Sequence, residues 1–98
     1  MDKRRKLDAE ALQAALARHP AWQRDGACIR REFRFPSFAE AFGFMAAVAL
    51  HAERLEHHPD WSNSYNKVSI ALTTHATGGL SALDFELAAC IDTLYQGD

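Results

Sequence analysis

The chain has 98 residues, 48 % hydrophobic and 24 % charged, with a net charge of −2 and a pI near 6.2. That length makes one domain, residues 1–98, with a thin core that association with further copies would help. The charge balance argues against a dedicated nucleic-acid binder, no apolar run approaches the ~18 residues of a membrane span, and the basic start has no apolar stretch behind it to make a secretory signal.

Lys3-Arg4-Arg5-Lys6 reads as part of a solvated, mobile tail over residues 1–7. Asp8 can cap a first helix to about His19, with Leu12, Ala15 and Leu16 on one side and Pro20 closing it. Ala21 to Arg24 reads as a short strand. Asp25-Gly26 is a hairpin signal for a type I′ turn, which needs positive φ at both central positions. The return strand is about Cys28 to Phe35, with Ile29, Phe33 and Phe35 on one parity. Arg31 interrupts that row and points to an edge.

Ser37-Phe38-Ala39-Glu40 fits a capping box for the longest helix. Phe38, Phe42, Met45, Ala49 and Ala52 form its expected apolar stripe, widened by Ala41, Phe44, Val48 and Leu55. His58 precedes Pro59 and so avoids the α region, which ends the helix at or near the histidine pair. Trp61 to Tyr65 is an extended segment with a turn at Tyr65-Asn66. Lys67 to Thr74 is the clearest strand, with Val68, Ile70 and Leu72 pointing one way. Gly78-Gly79 makes a flexible connection, and Ser81-Ala82-Leu83-Asp84 is a second capping box. Leu83, Leu87, Cys90, Ile91 and Leu94 mark the final helix, which makes Cys90 core. Cys28 and Cys90 form no CxxC pair, and reduced thiols in a cytoplasmic protein are the default.

The order is α-β-β-α-β-β-α. One-sided alternation predicts an α+β fold, an antiparallel sheet with helices packed on one face. The other face, or an edge strand, is free to pair with another subunit.

Chemistry concentrates in Glu53-Arg54-Leu55-Glu56-His57-His58-Pro59 and in the distant His75. Glu53 and His57 stand at i and i+4, so on a helix they would face each other, the carboxylate orienting the ring and favouring its charged form. An imidazole is suited to general acid–base work near neutral pH. His58 points elsewhere and could hold a ligand. His75 ends a strand beside Thr73-Thr74 and is followed by Ala76-Thr77-Gly78-Gly79, small residues that let a flat ligand approach the backbone. Trp61 could supply an apolar wall. A histidine pair before a proline also fits a plain polar helix end. Three histidines and Glu53 could ligate zinc, but there is no HExxH, no HxH and no paired cysteines.

At these residues the chain resembles the pterin-4a-carbinolamine dehydratases. That family's pattern is an acidic residue, three residues, His-His-Pro, an aromatic, Thr-His near a strand end, and an Asp beyond. Here the positions are Glu53, His57-His58-Pro59, Tyr65, Thr74-His75 and Asp84. The resemblance covers about Leu12 to Leu94. It implies four antiparallel strands with three helices, and dimers that join sheets edge to edge, often paired into tetramers. It implies a hydro-lyase that removes water from a 4a-hydroxytetrahydropterin to give quinonoid dihydropterin. That product is then reduced, recycling the cofactor of aromatic amino-acid hydroxylases; the dehydratase itself needs no metal or organic cofactor. By the same resemblance His57 and His75 are the acid–base pair, Glu53 tunes His57, and His58 binds the pterin. Pro59 and the backbone from Thr74 through Ala76 to Thr77 shape the pocket. Animal members also stabilise dimers of a homeodomain transcription factor. A non-enzymatic dimerisation or coactivator module therefore stays open as an alternative, as does action on another pterin, such as in molybdenum-cofactor metabolism.

Overall fold

The computed structural model describes residues 3–95. Helix α1 (Ala9–Arg18) is followed by strands β1 (Gln23–Asp25) and β2 (Cys28–Arg34). Helix α2 (Phe38–Leu55) leads to β3 (Asp60–Ser64) and β4 (Lys67–Leu72), then a 3-10 turn (His75–Thr77) and helix α3 (Ala82–Leu94). This is the expected α-β-β-α-β-β-α. All neighbouring strands are antiparallel, in the order β1-β2-β4-β3.

Alternation decides which sheet face is covered. Ile29 and Phe33 of β2 and Val68, Ile70 and Leu72 of β4 are buried, while Arg30, Glu32 and Arg34 stand exposed. The buried rows join Ala15 of α1, Phe44 and Val48 of α2, and Leu87, Ala88 and Ile91 of α3 in one cluster. The three helices therefore share the covered face. All three expected helix starts hold: Asp8 accepts from Ala11 N–H at 2.8 Å, Ser37 Oγ from Glu40 N–H at 3.2 Å, and Asp84 Oδ2 from Ser81 N–H at 2.9 Å.

Several details differ from the sequence reading. β1 begins at Gln23, because Trp22 turns into the core and donates from Nε1 to Asp92 at 2.9 Å. Asp25 pairs with Cys28, so the turn is centred on Gly26-Ala27. Only Gly26 has positive φ (61°), the pattern of a type II′ turn rather than type I′. Arg31 lies on an interior strand, although β1 begins only opposite Arg30 and leaves the stretch of β2 from Arg31 onward unpaired on that side. Its charge is accommodated by Asp92 at 2.6 Å and by the Phe33 and Tyr95 rings, at 4.7 and 5.1 Å from the guanidinium carbon to each centroid.

Helix α2 buries Ala41, Phe44, Val48 and Ala52. Phe38 and Phe42, placed on the expected stripe, are 51 % and 57 % exposed. Nearly every position from 38 to 50 is apolar, so periodicity alone could not choose the inward side. Cys90 is half-buried at the rim, with the Arg54 guanidinium 3.5 Å from its sulfur, rather than in the core.

The expected basic tail is tied down over the part that is described. Leu7 N–H donates to Leu80 O at 2.9 Å, Leu83 N–H donates to Lys3 O at 3.1 Å, and Lys6 bridges to Ser81. Backbone pairing with the loop before α3 outweighs the solvation of a short basic run. Residues 1 and 2 lie outside the described residues.

Candidate active site

The site begins with how α2 ends. Glu56 adopts the left-handed conformation (φ 53°, ψ 44°). Its N–H donates to Glu53 O at 3.1 Å, and His57 N–H donates to Ala52 O at 3.0 Å. These are the paired bonds of a Schellman motif, which usually places glycine at the left-handed position. A glutamate there costs about 1 kcal/mol. The helix thus stops at Leu55, two residues before the histidine pair near which its end is expected.

This turn redirects His57. It lies beyond the helix, so the i,i+4 rule no longer relates it to Glu53. Its ring is carried inward, leaving the residue 7 % exposed, and Nε2 sits 2.5 Å from Asp84 Oδ1. The expected Glu53–His57 pair is therefore corrected: Glu53 Oε1 meets His58 Nε2 at 2.7 Å, on the surface.

Asp84 is fully buried, and its carboxylate is used several times over. Oδ2 accepts from Thr74 Oγ1 at 2.8 Å and from Ser81 N–H at 2.9 Å. The Thr74 and Ser81 hydroxyls lie 2.7 Å apart. A buried carboxylate is tolerated only when such partners replace its water. The capping box that starts α3 thus also supplies the anchor for His57. An ionised carboxylate accepts, which favours the tautomer that carries the proton on the His57 nitrogen facing Asp84.

His75 opens the 3-10 turn directly after Thr74. Its Nε2 stands 3.6 Å from Asp60 Oδ2, and both side chains are well exposed. Thr77 closes the turn, its N–H donating to Thr74 O at 3.1 Å, and Gly78 follows at φ 71°. Ala76 is exposed and Pro59 and Thr77 are half-buried. Trp61 lies on edge strand β3 opposite Ile70. The bonded network unites His57, Thr74, Ser81 and Asp84, and chain connectivity brings His58 and His75 to its border. Among the described residues, no three His, Cys, Asp or Glu side chains converge in a way that could hold a metal.

The family pattern described as "Pterin 4 alpha carbinolamine dehydratase" matches residues 5–94. The chain belongs to this family. A Rhodospirillum rubrum protein, named provisionally as a pterin-4-alpha-carbinolamine dehydratase, is 56 % identical over 91 residues, covering 91 % of this chain and 95 % of the relative. A Sinorhizobium fredii protein with the same provisional name is 53 % identical, covering 94 % and 90 %. Among solved structures, a protein described as a transcriptional coactivator/pterin dehydratase from Brucella melitensis is 39 % identical with a TM-score of 0.88, over 92 % of this chain and 98 % of that one. A pterin dehydratase-like protein identified as a RuBisCO assembly factor in the alpha-carboxysome shares the fold at 24 % identity and a TM-score of 0.64, over 79 % and 89 %. Pterin-4-alpha-carbinolamine dehydratases are hydro-lyases.

Two features of this dehydratase-family site escaped the sequence reading. Asp60 follows His-His-Pro directly, but nothing in one dimension relates it to His75. Asp84 was legible as a helix cap, yet its bond to His57 spans 27 positions.

Proposed function

We propose that the chain dehydrates a 4a-hydroxytetrahydropterin by histidine acid–base chemistry. The substrate carries a hydroxyl on the ring carbon 4a, next to a nitrogen that bears a proton. One group protonates the departing hydroxyl, which leaves as water when the carbon–oxygen bond breaks. Another takes the proton from the nitrogen, whose electron pair forms the new carbon–nitrogen double bond. His57 and His75 supply these two groups, and either can act on the hydroxyl according to which stereoisomer binds. His58, paired to Glu53, contacts the pterin, and Pro59, Trp61, Ala76, Thr74 and Thr77 shape its seat. The product would feed the reductive recycling of a tetrahydropterin used by aromatic amino-acid hydroxylases.

The observation that carries this reading is the His57–Asp84 bond with Thr74 on the second carboxylate oxygen. It orients one imidazole rigidly and ties it to the strand end that bears the other. General acid–base groups held this way contribute typically ~10²–10⁴-fold. The experiment follows decay of freshly made 4a-hydroxytetrahydropterin with pure wild type and with His57→Ala. Acceleration by the wild type only is expected; no acceleration by the wild type would defeat the enzymatic reading.

A binding role is the second reading. It is supported by the exposed Phe38, Phe42 and Leu50 on α2 and by the coactivator description of the Brucella structure. We take the occupant of the exposed faces to be further copies of this chain, in a homodimer or homotetramer. Partner capture that survives replacement of both His57 and His75 would separate association from catalysis.

A further inference from the structure

The His57–Asp84 bond joins two elements far apart in sequence, the end of α2 and the start of α3. The segment from Lys3 to Leu7 touches both. On one side it is zipped to the start of α3, through Leu83 N–H to Lys3 O at 3.1 Å, Leu7 N–H to Leu80 O at 2.9 Å and the Lys6–Ser81 bridge. Lys3 Nζ adds an ion pair to Glu86 at 2.7 Å. On the other side Arg4 Nη2 donates to the Glu56 carbonyl at 2.7 Å. That carbonyl belongs to the peptide linking Glu56 to His57. It is the carbonyl of the left-handed residue itself, just past the helix end where negative potential collects. A guanidinium there makes a charge-assisted bond, stronger than a neutral one.

We propose that Arg4 is a positioning residue for His57, and that residues 3–7 form a clamp holding the His57 peptide in register with Asp84. The chain's basic start thereby acts on the site without touching substrate. Two effects combine in it. The backbone pairs fix where the segment lies on α3, and Arg4 converts that fixed position into a fixed orientation of the peptide before His57. Loosening Arg4 lets the strained Glu56 relax, and the His57 ring then drifts from Asp84.

The importance of the clamp rests on His57 being a working group of the proposed dehydratase. Its test is read without substrate, so failure of the dehydratase reading would leave this result standing. Full-length protein labelled with ¹⁵N-histidine is examined by NMR for solvent exchange of the His57 ring N–H that donates to Asp84. Melting temperatures are recorded alongside. Arg4→Ala should speed that exchange about tenfold, and Arg4→Lys should restore most of the protection. Arg4→Gln, which keeps a neutral donor, carries the comparison if the alanine variant does not fold. Ser37→Ala is the control, since it removes the side-chain cap at the opposite end of α2 and lowers stability away from the clamp. It should leave the His57 exchange unchanged. The proposal is overturned if removing the Arg4 guanidinium leaves exchange within about twofold of wild type, or if Ser37→Ala speeds it equally.

Discussion

Of the three histidine–carboxylate pairs described, two differ in nearly every physical respect. His57 and Asp84 are buried, separated by 2.5 Å, and embedded with Thr74 and Ser81 in a network that leaves no described buried polar side-chain atom unpartnered. His75 and Asp60 are exposed and 3.6 Å apart. In low dielectric the first pair is strong and costly to break; in water the second contributes little to stability. The difference separates two requirements of acid–base catalysis. In the proposed reaction, one imidazole is held where the fold dictates, while the other stands exposed to solvent and to an incoming ligand.

This contrast can be broken most severely at Asp84. Asp84→Ala strands the His57 ring and the Ser81 N–H in the interior and takes one of two hydrogen-bond partners from the Thr74 hydroxyl, and should cost about 3 kcal/mol by urea denaturation. Next in size is His75→Ala. It should slow dehydration by about 10²-fold while moving stability by less than about 0.5 kcal/mol, a split that Asp84→Ala cannot show. Glu56→Gly should raise stability by about 1 kcal/mol, because glycine takes the left-handed helix end without strain. Asp60→Asn should be the mildest change, within about 0.5 kcal/mol by thermal melting. An Asp60 effect as large as that of Asp84 would erase the distinction between the pairs.

Much of this was readable in one dimension, and the failures have a common cause. Alternation in Val68, Ile70 and Leu72 and the caps at Asp8, Ser37 and Ser81 rest on neighbours in sequence, and they predict the element order and the antiparallel sheet. The histidines stand out as candidates for chemistry because His57, His58 and His75 sit at the ends of regular elements. Their partners do not. Glu53 was matched to His57 by a rule that holds only inside a helix, and nothing announces that Glu56 would take the left-handed position glycine usually fills. Asp84 was recognised through Ser81, three residues away, but its bond to His57 depends on how α2 and α3 pack. Phe38 and Phe42 point outward on a helix apolar on most sides, so composition concealed which face the sheet would cover. The basic segment from Lys3 to Lys6 looked like a tail because its pairing partners, Leu80 to Leu83, lie at the far end of the chain.

The central claim is that the buried and the exposed histidine are two halves of one site. It is tested most directly by comparing dehydration of 4a-hydroxytetrahydropterin by wild type, His57→Ala, His75→Ala and the double variant, all shown to be folded. Groups acting in one step are strongly non-additive. Each single variant should lose most of the acceleration, and the double variant should be no more than about threefold slower than the worse single. Folded single variants that keep the wild-type rate would contradict the account.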